Sequence, residues 1–316
     1  MTEPLRLIID TDAGVDDALA LMLALTAPGV EVAAITTVTG NVHVDLVVPN
    51  VATVLDLCAA DVPFYRGAEL PLLAEWEAED PIVHGTDGMG DWPGRVTSAR
   101  RPQPEHAVLA LLDLVNRAPG QYTLVTLGPL TNIALAVRLD PTFPGKLKNW
   151  VCMGGTIEGR GNTRYIAAEW NMFCDPEAAA IAFATLPDCT LVSWEATLYN
   201  PIPIEEYDRL AALKTARGRF FHGITHATRA FAAGLRGASG FLIPDPLAMA
   251  AALDPALIAE QYRAYVAVEL NGRYARGQTV IDHEARFGKA PNASIVTRLH
   301  MPGVVAQFDR ALKAKR

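Results

Sequence analysis

The sequence predicts an α/β protein with a doubly wound, mostly parallel central sheet and helical insertions over one end. Three observations predict it. Short apolar runs rich in Val and Ile alternate with segments of helical period through most of the chain. The runs end in turns that carry Gly, Asn or Asp. No internal repeat or low-complexity linker interrupts the alternation, so residues 1–316 are expected to form a single domain.

The elements follow in order. Leu5 to Ile9 is a short buried strand that runs into an acidic turn. Asp16 to Leu25 reads as a helix, with Asp residues in its first turn, where they suit the helix dipole. Val30 to Val38 is a second strand, ended by Gly40-Asn41. Val44 to Leu57 has helical spacing, and Val62 to Tyr65 is a third strand. From Arg66 to about Pro104 the chain is irregular and rich in Pro, Gly, Trp and acidic residues. So long a loop in a compact domain points to function, and the segment from His84 to Gly90 favours that reading. Helix Glu105 to Arg117, strand Tyr122 to Leu127 and helix Leu130 to Arg138 restore the alternation. Trp150 to Met153 is a strand ending at Gly154-Gly155, and Asp175-Pro176 opens a helix with Pro in its first turn. Thr190 to Ser193 is another strand, Ile204 to Leu235 is mainly helical, and Leu247 to Leu253 is a short helix after Pro246. Tyr265 to Val268 and Ser294 to Thr297 are late strands.

Composition narrows the class. Half of the residues are hydrophobic, enough for a sizeable core. A net charge of -8 gives no pull toward nucleic acid or an anionic membrane. The run Lys313-Ala314-Lys315-Arg316 reads as a solvated tail. The apolar run after Met1 to Pro4 ends at Asp10, too soon for a signal peptide or a membrane span, so a cytoplasmic protein is expected. Cys58, Cys152, Cys174 and Cys189 show no CxxC spacing and read as buried thiols rather than zinc ligands or disulfides.

The sharpest feature is Asp10-Thr11-Asp12-Ala13-Gly14-Val15-Asp16-Asp17, four carboxylates in eight residues. Their mutual repulsion is relieved when a cation sits among them. An all-oxygen donor set favours Ca²⁺ or Mg²⁺ over zinc. The plainer alternative is an acidic helix N-terminus in water. Further polar sites fall at expected strand ends: Gly40-Asn41, Leu127 to Asn132, and Met153-Gly154-Gly155. Gly161-Asn162 leads to Ala168-Glu169-Trp170-Asn171, where Glu169 and Asn171 face one side if the chain is extended and could grip adjacent sugar hydroxyls. Asp245 stands between Pro244 and Pro246 at a helix start, where a plain N-cap is the alternative.

Taken together, these residues resemble the inosine–uridine preferring nucleoside hydrolase family. The family's fingerprint is close to D-T-D-x-G-x-D-D-A, as at residues 10–18. Thr39-Gly40-Asn41, His84-Gly85, Gly128 to Asn132, Met153-Gly154-Gly155, Ala168 to Asn171 and Asp245 to Ala248 follow in family order. The resemblance implies Ca²⁺ held by Asp12, Asp17, Asp245 and the backbone carbonyl of Leu127. It implies ribose binding by Asp16, Asn41, Asn162, Glu169 and Asn171, with Met153 packed on the sugar and Asp10 supporting the loop. It implies that Asp12 is the general base toward a water oriented by the ion, and that the ribose passes through oxocarbenium character. Loss of the 2′-hydroxyl would leave an ion position unmet, so ribose is expected over deoxyribose. A homodimer or homotetramer, and a place in nucleoside salvage, are expected by the same analogy.

Two positions depart from the family. Where many members carry a leaving-group His, and others a stacking Trp, this chain has Pro244. His84 is then the candidate acid, with His222 and His226 as further candidates and Trp92 as a candidate stacking ring. Ala13 replaces a common Pro and is expected to loosen the turn slightly. Pro244 also motivates a second hypothesis, a catalytically altered ribosyl-binding protein. A phosphotransferase built on Asp10 and Asp12 fits the remaining motifs poorly.

Overall fold

Strand β1 (Leu5–Thr11) alternates its side chains across the sheet. Leu7 and Ile9 enter one core and Ile8 enters the other, so the strand is buried on both faces. The computed structural model describes residues 3–73, 75–77, 82–186, 188–234 and 239–314. After β1 come α1 (Val15–Thr26), β2 (Val30–Thr37), α2 (Val44–Cys58) and β3 (Phe64–Tyr65). Next are α3 (Ala107–Arg117), β4 (Tyr122–Thr126), α4 (Thr131–Leu139) and β5 (Asn149–Met153). Then come α5 (Trp170–Cys174), α6 (Pro176–Thr185), β6 (Cys189–Val192), α7 (Trp194–Tyr199), α8 (Ile204–Ala211) and α9 (Ala216–Gly234). The chain closes with α10 (Pro244–Leu253), β7 (Ile258–Val268), β8 (Thr279–Asp282), β9 (Ala293–Leu299) and α11 (Met301–Lys313).

The strand order is β3-β2-β1-β4-β5-β6-β9-β7-β8. Seven neighbouring strands, β3 through β9 in that order, are parallel. β7 and β8 run antiparallel at one edge. The order reverses between β1 and β4, where a crevice opens beyond the carboxyl ends of parallel strands. Helices α1, α2, α9, α10 and α11 contribute to the core on one face, and α3, α4 and α6 to the core on the other. The expected α/β sheet is therefore present.

Several sequence expectations need correction. The third strand begins at Phe64, because Val62 and Pro63 stand before its pairing with Ile35 and Thr36. The helix placed after Pro246 begins at Pro244 and holds both prolines in its first turn, where no intrahelical N–H bond is lost. Asp245 is thus inside the helix, and Ile243 is its cap. The late strand is Ile258–Val268, longer than expected. The region from Ile204 breaks into α8 and α9, and Leu235 lies outside the described residues, as do Met1, Lys315 and Arg316. Ala13 sits at φ 33°, which a proline ring cannot adopt, so its turn is not a loosened prolyl turn. All four cysteines are buried thiols, as expected. Among the described residues, no helix is long and apolar enough to cross a membrane.

Candidate active site

The site is assembled at the carboxyl edge of β1, β2, β4 and β5. Asp10 pairs in register with Thr36 on β2 and Thr126 on β4. Its carboxylate accepts from Thr36 Oγ1 at 2.5 Å and Asn132 Nδ2 at 2.8 Å. Asn132 also receives the Ala68 N–H and donates to the Thr37 carbonyl, so it ties the Ala68 loop and the end of β2 to Asp10. Asp10 therefore braces the edge, and its burial pushes its pKa from the ordinary 3.8 to about 7.

Two residues later, Asp12 is fully buried, and its Oδ2 accepts the Asn41 N–H at 2.7 Å. Its Oδ1 is buried with no hydrogen-bond partner. Gly40 makes this close approach possible, since a Cβ there would stand 2.1 Å from Asp12 Oδ2. Asp17, in the first turn of α1, is the better-satisfied carboxylate. It accepts from Thr11 Oγ1, from the Gly14 N–H at 2.8 Å and from Asn41 Nδ2 at 3.2 Å. Helix α10 packs along α1 and delivers Asp245, which is 2% exposed, to the same place.

Asp16, Asp17 and Asp245 each offer a carboxylate oxygen within 4.8 Å of one another. Asp12 stands close enough to add its charge to Asp245. Burial comes first and neighbouring carboxylates second in pushing Asp12 and Asp245 well above the usual carboxylate range. Burial and then Asp17 move Asp16 to about 7. Asp16 Oδ1, like Asp12 Oδ1, is buried without a hydrogen-bond partner. Crowded acids with orphaned oxygens, whose converging donors are all carboxylate oxygens, make a set suited to a hard divalent cation. The expected ligand set named Asp12, Asp17 and Asp245. The three that converge most tightly include Asp16, which had been expected on the sugar, with Asp12 beside them.

The other expected ligand, the Leu127 carbonyl, accepts Asn171 Nδ2 at 2.6 Å and keeps a second lone pair. Asn171 also reaches the Met153 carbonyl at 3.3 Å, so one amide spans the ends of β4 and β5. Glu169 is 1% exposed and caps α5, accepting from the N–H groups of Asn171 (2.9 Å), Gly155 (2.8 Å) and Met172 (3.2 Å). Burial outweighs these donors and raises Glu169 to about 7. The extended spacing read for Glu169 and Asn171 is therefore wrong. A helix starts at Trp170, and the two residues meet because the Glu169 carboxylate folds forward onto its own helix.

A cavity of about 300 Å³ opens beside the acids. Asp16, Asn41, His84, Glu169, Asn171 and Asp245 line it, as do Leu127, Met153 and the exposed Asn162. Asp12 and Asp17 are buried and do not line it. Asn162 Oδ1 is engaged by the Trp170 N–H at 2.9 Å. His84 Nδ1 accepts the Val15 N–H at 3.0 Å, at the start of α1, and lies 3.7 Å from Asp16 Oδ1. An apolar wall of the cavity was not foreseen: Trp194, Leu198, Phe241 and Leu242 line it together with Pro244. Trp194 follows the strand read at Thr190 to Ser193, so its place at a strand's carboxyl end was the available signal. His222 and His226 are exposed on α9 and do not line the cavity. Nor does Trp92, which packs edge-on to Phe220 with ring centroids 6.0 Å apart.

A family profile described as inosine-uridine preferring nucleoside hydrolase matches residues 7–306. The chain belongs to this nucleoside hydrolase family. It is 36% identical over 303 residues, 96% of each chain, to the non-specific ribonucleoside hydrolase RihC of Salmonella enteritidis PT4 (strain P125109). Among solved structures it is similar to an inosine-guanosine nucleoside hydrolase, with a TM-score of 0.91 and 36% identity over 99% of this chain and all of that one. A purine-preferring ribonucleoside hydrolase from Gardnerella vaginalis superposes with a TM-score of 0.87 at 30% identity, covering 97% of this chain and 98% of the other. This nucleoside hydrolase family member is accordingly a hydrolase acting on N-glycosyl compounds.

Proposed function

We propose that the chain acts as one domain that hydrolyses the N-glycosidic bond of ribonucleosides, releasing ribose and a free base, with Ca²⁺ as cofactor. The observation that carries this reading is the convergence of Asp16, Asp17 and Asp245, with the orphaned Asp12 Oδ1 close by, next to a sugar-sized cavity that Asp16 and Asp245 line. Asp12, Asp17, Asp245 and the Leu127 carbonyl would hold the ion, with Asp16 close enough to share in it. When bound, Ca²⁺ supplies charge that offsets the acids, orients the ribose 2′- and 3′-hydroxyls and makes water more acidic.

The remaining work falls to the chain. Asp12 is anchored through Oδ2 by Asn41, which leaves Oδ1 to accept a proton from the attacking water. Asp16, Asn41, Asn162, Glu169 and Asn171 would take the ribose hydroxyls, and Met153 would pack on the ring. The carboxylates around the ring favour the positive charge that develops on it as the bond to the base breaks.

The base would lie against Trp194, Leu198 and Phe241. Pro244 in that wall can donate no proton, so His84 is assigned as leaving-group acid. Because His84 Nδ1 accepts the Val15 N–H, the neutral ring carries its proton on Nε2, and transfer runs through that atom. The ribosyl-binding alternative rested on Pro244 alone, and the relatives named above are hydrolases. Action in the cytoplasm, in nucleoside salvage, as a homodimer or homotetramer completes the proposal.

The test is a panel of inosine, adenosine, guanosine, uridine, cytidine and p-nitrophenyl riboside with Ca²⁺ present, read as reducing sugar. Turnover of at least one natural ribonucleoside, lost on chelation, is expected. Binding of nucleosides without turnover of any substrate in the panel would overturn the reading.

A further inference from the structure

Outside the acidic centre, Glu195 is a buried carboxylate with no part in the chemistry above. Glu195, in the first turn of α7, is 0% exposed. It accepts three backbone N–H groups from the loop between β5 and α5. Ile157 donates to Oε2 at 2.8 Å, while Glu158 and Arg160 donate to Oε1 at 2.9 and 3.2 Å. Gly159, at φ 70°, makes the turn that aims the N–H groups on either side of it at one carboxylate. Just beyond this clasp stand Gly161 and Asn162 at the cavity mouth. The far half of the loop closes on itself, through Gly161 N–H to the Ile166 carbonyl at 2.6 Å and Asn162 N–H to the Ala168 carbonyl at 3.3 Å. The residue before Glu195 is Trp194, whose ring is in the apolar wall and whose N–H reaches the Gly155 carbonyl at 2.9 Å.

We propose that Glu195 is a positioning residue for substrate binding. Its carboxylate clasps residues 157–160 and so sets Asn162 at the cavity mouth, from the same helical turn that places Trp194 in the wall. A surface loop held by three charge-assisted bonds to a buried acid keeps one shape in the free protein, so less ordering is needed when substrate arrives. Moving α7 would move both Trp194 and the loop, which couples these two parts of the cavity lining. This inference rests on the hydrolase reading for the role of the cavity, but the clasp itself does not depend on it.

Glu195→Gln keeps the shape and replaces one acceptor oxygen with an NH₂ that faces an N–H donor. With Ca²⁺ present, this variant is expected to raise KM for a ribonucleoside about tenfold and to change kcat less than about threefold, the pattern of lost uniform binding. The melting temperature should stay within a few degrees of the parent. On an Asn162→Ala background, Glu195→Gln should add less than about twofold, because both act through one contact.

Kinetics within twofold of the parent at unchanged melting temperature, or effects of the two substitutions that multiply, would overturn the proposal. Amide hydrogen exchange of the unmodified protein provides a readout that needs no variant. The amides of residues 157, 158 and 160 should exchange at least about tenfold more slowly than that of the exposed Arg164. Equal rates overturn the clasp even if the protein hydrolyses nucleosides. Slow rates uphold it even if the hydrolase reading fails.

Discussion

Gly40→Ala tests whether the position of Asp12 matters at the scale of an ångström. The new Cβ would lie 2.1 Å from Asp12 Oδ2, 2.8 Å from Asp12 Cβ and 2.7 Å from Pro129 Cδ. Pro129 blocks relief on its side, so the carboxylate must retreat by roughly 1 Å or more to reach van der Waals distance, and a misplacement of that size costs about 10²-fold in rate. The retreat also breaks the 2.7 Å bond from the Asn41 N–H and re-aims Oδ1. Overpacking should cost about 1–3 kcal/mol of stability, too little to unfold a domain of ordinary stability. The assay is steady-state ribonucleoside hydrolysis with Ca²⁺ in excess, alongside a melting curve. A folded variant with kcat about 10²-fold down is expected. A folded variant with kcat within about threefold of the parent would refute the reasoning, because Asp12 would then not need the position that Gly40 protects.

Three further outcomes follow from the site. His84→Ala should lower kcat on natural nucleosides by about 10²-fold or more, and by much less on p-nitrophenyl riboside, whose leaving group needs no proton; equal losses on both would remove His84 as the acid. In the metal-stripped protein, Asp10, Asp16 and Glu169 keep their protons up to about pH 7, whereas the unfolded chain releases them near the ordinary 3.8 to 4.5. The folded state thus binds more protons across that window, and its melting temperature should fall as pH rises through it. Added Ca²⁺ should reverse the fall, and a melting temperature that rises with pH in chelator would contradict the account. Trp92→Ala should lower the melting temperature by removing the contact with Phe220 while leaving KM unchanged; a raised KM would restore the stacking role.

How much of this was legible in the sequence depends on the length of each signal. β1, α1, β2 and α2 could be read to within two residues because periodicity and turn chemistry agree there. α5 and α7 are five and six residues long, too short to show a helical period, so Glu169 was read as extended and Trp194 and Glu195 were passed over. β8 has four residues at an antiparallel edge and was missed for the same reason. α11 was legible in principle, since Val304, Val305, Phe308, Ala311 and Leu312 recur at helical spacing and are buried. The acidic motif pointed to a cation site, but sequence could not say which carboxylates converge. That depends on how α10 lies along α1, and it brought Asp16 into a cluster for which Asp12 had been expected.

The central claim is that these acids form one seat for a divalent ion. Calorimetric titration of Ca²⁺ into chelator-treated protein near pH 8 tests it most directly. One ion per chain, with protons released on binding and no saturable heat in the Asp245→Asn variant, is the predicted result. No saturable binding by the parent, or equal binding by the parent and Asp245→Asn, would contradict it.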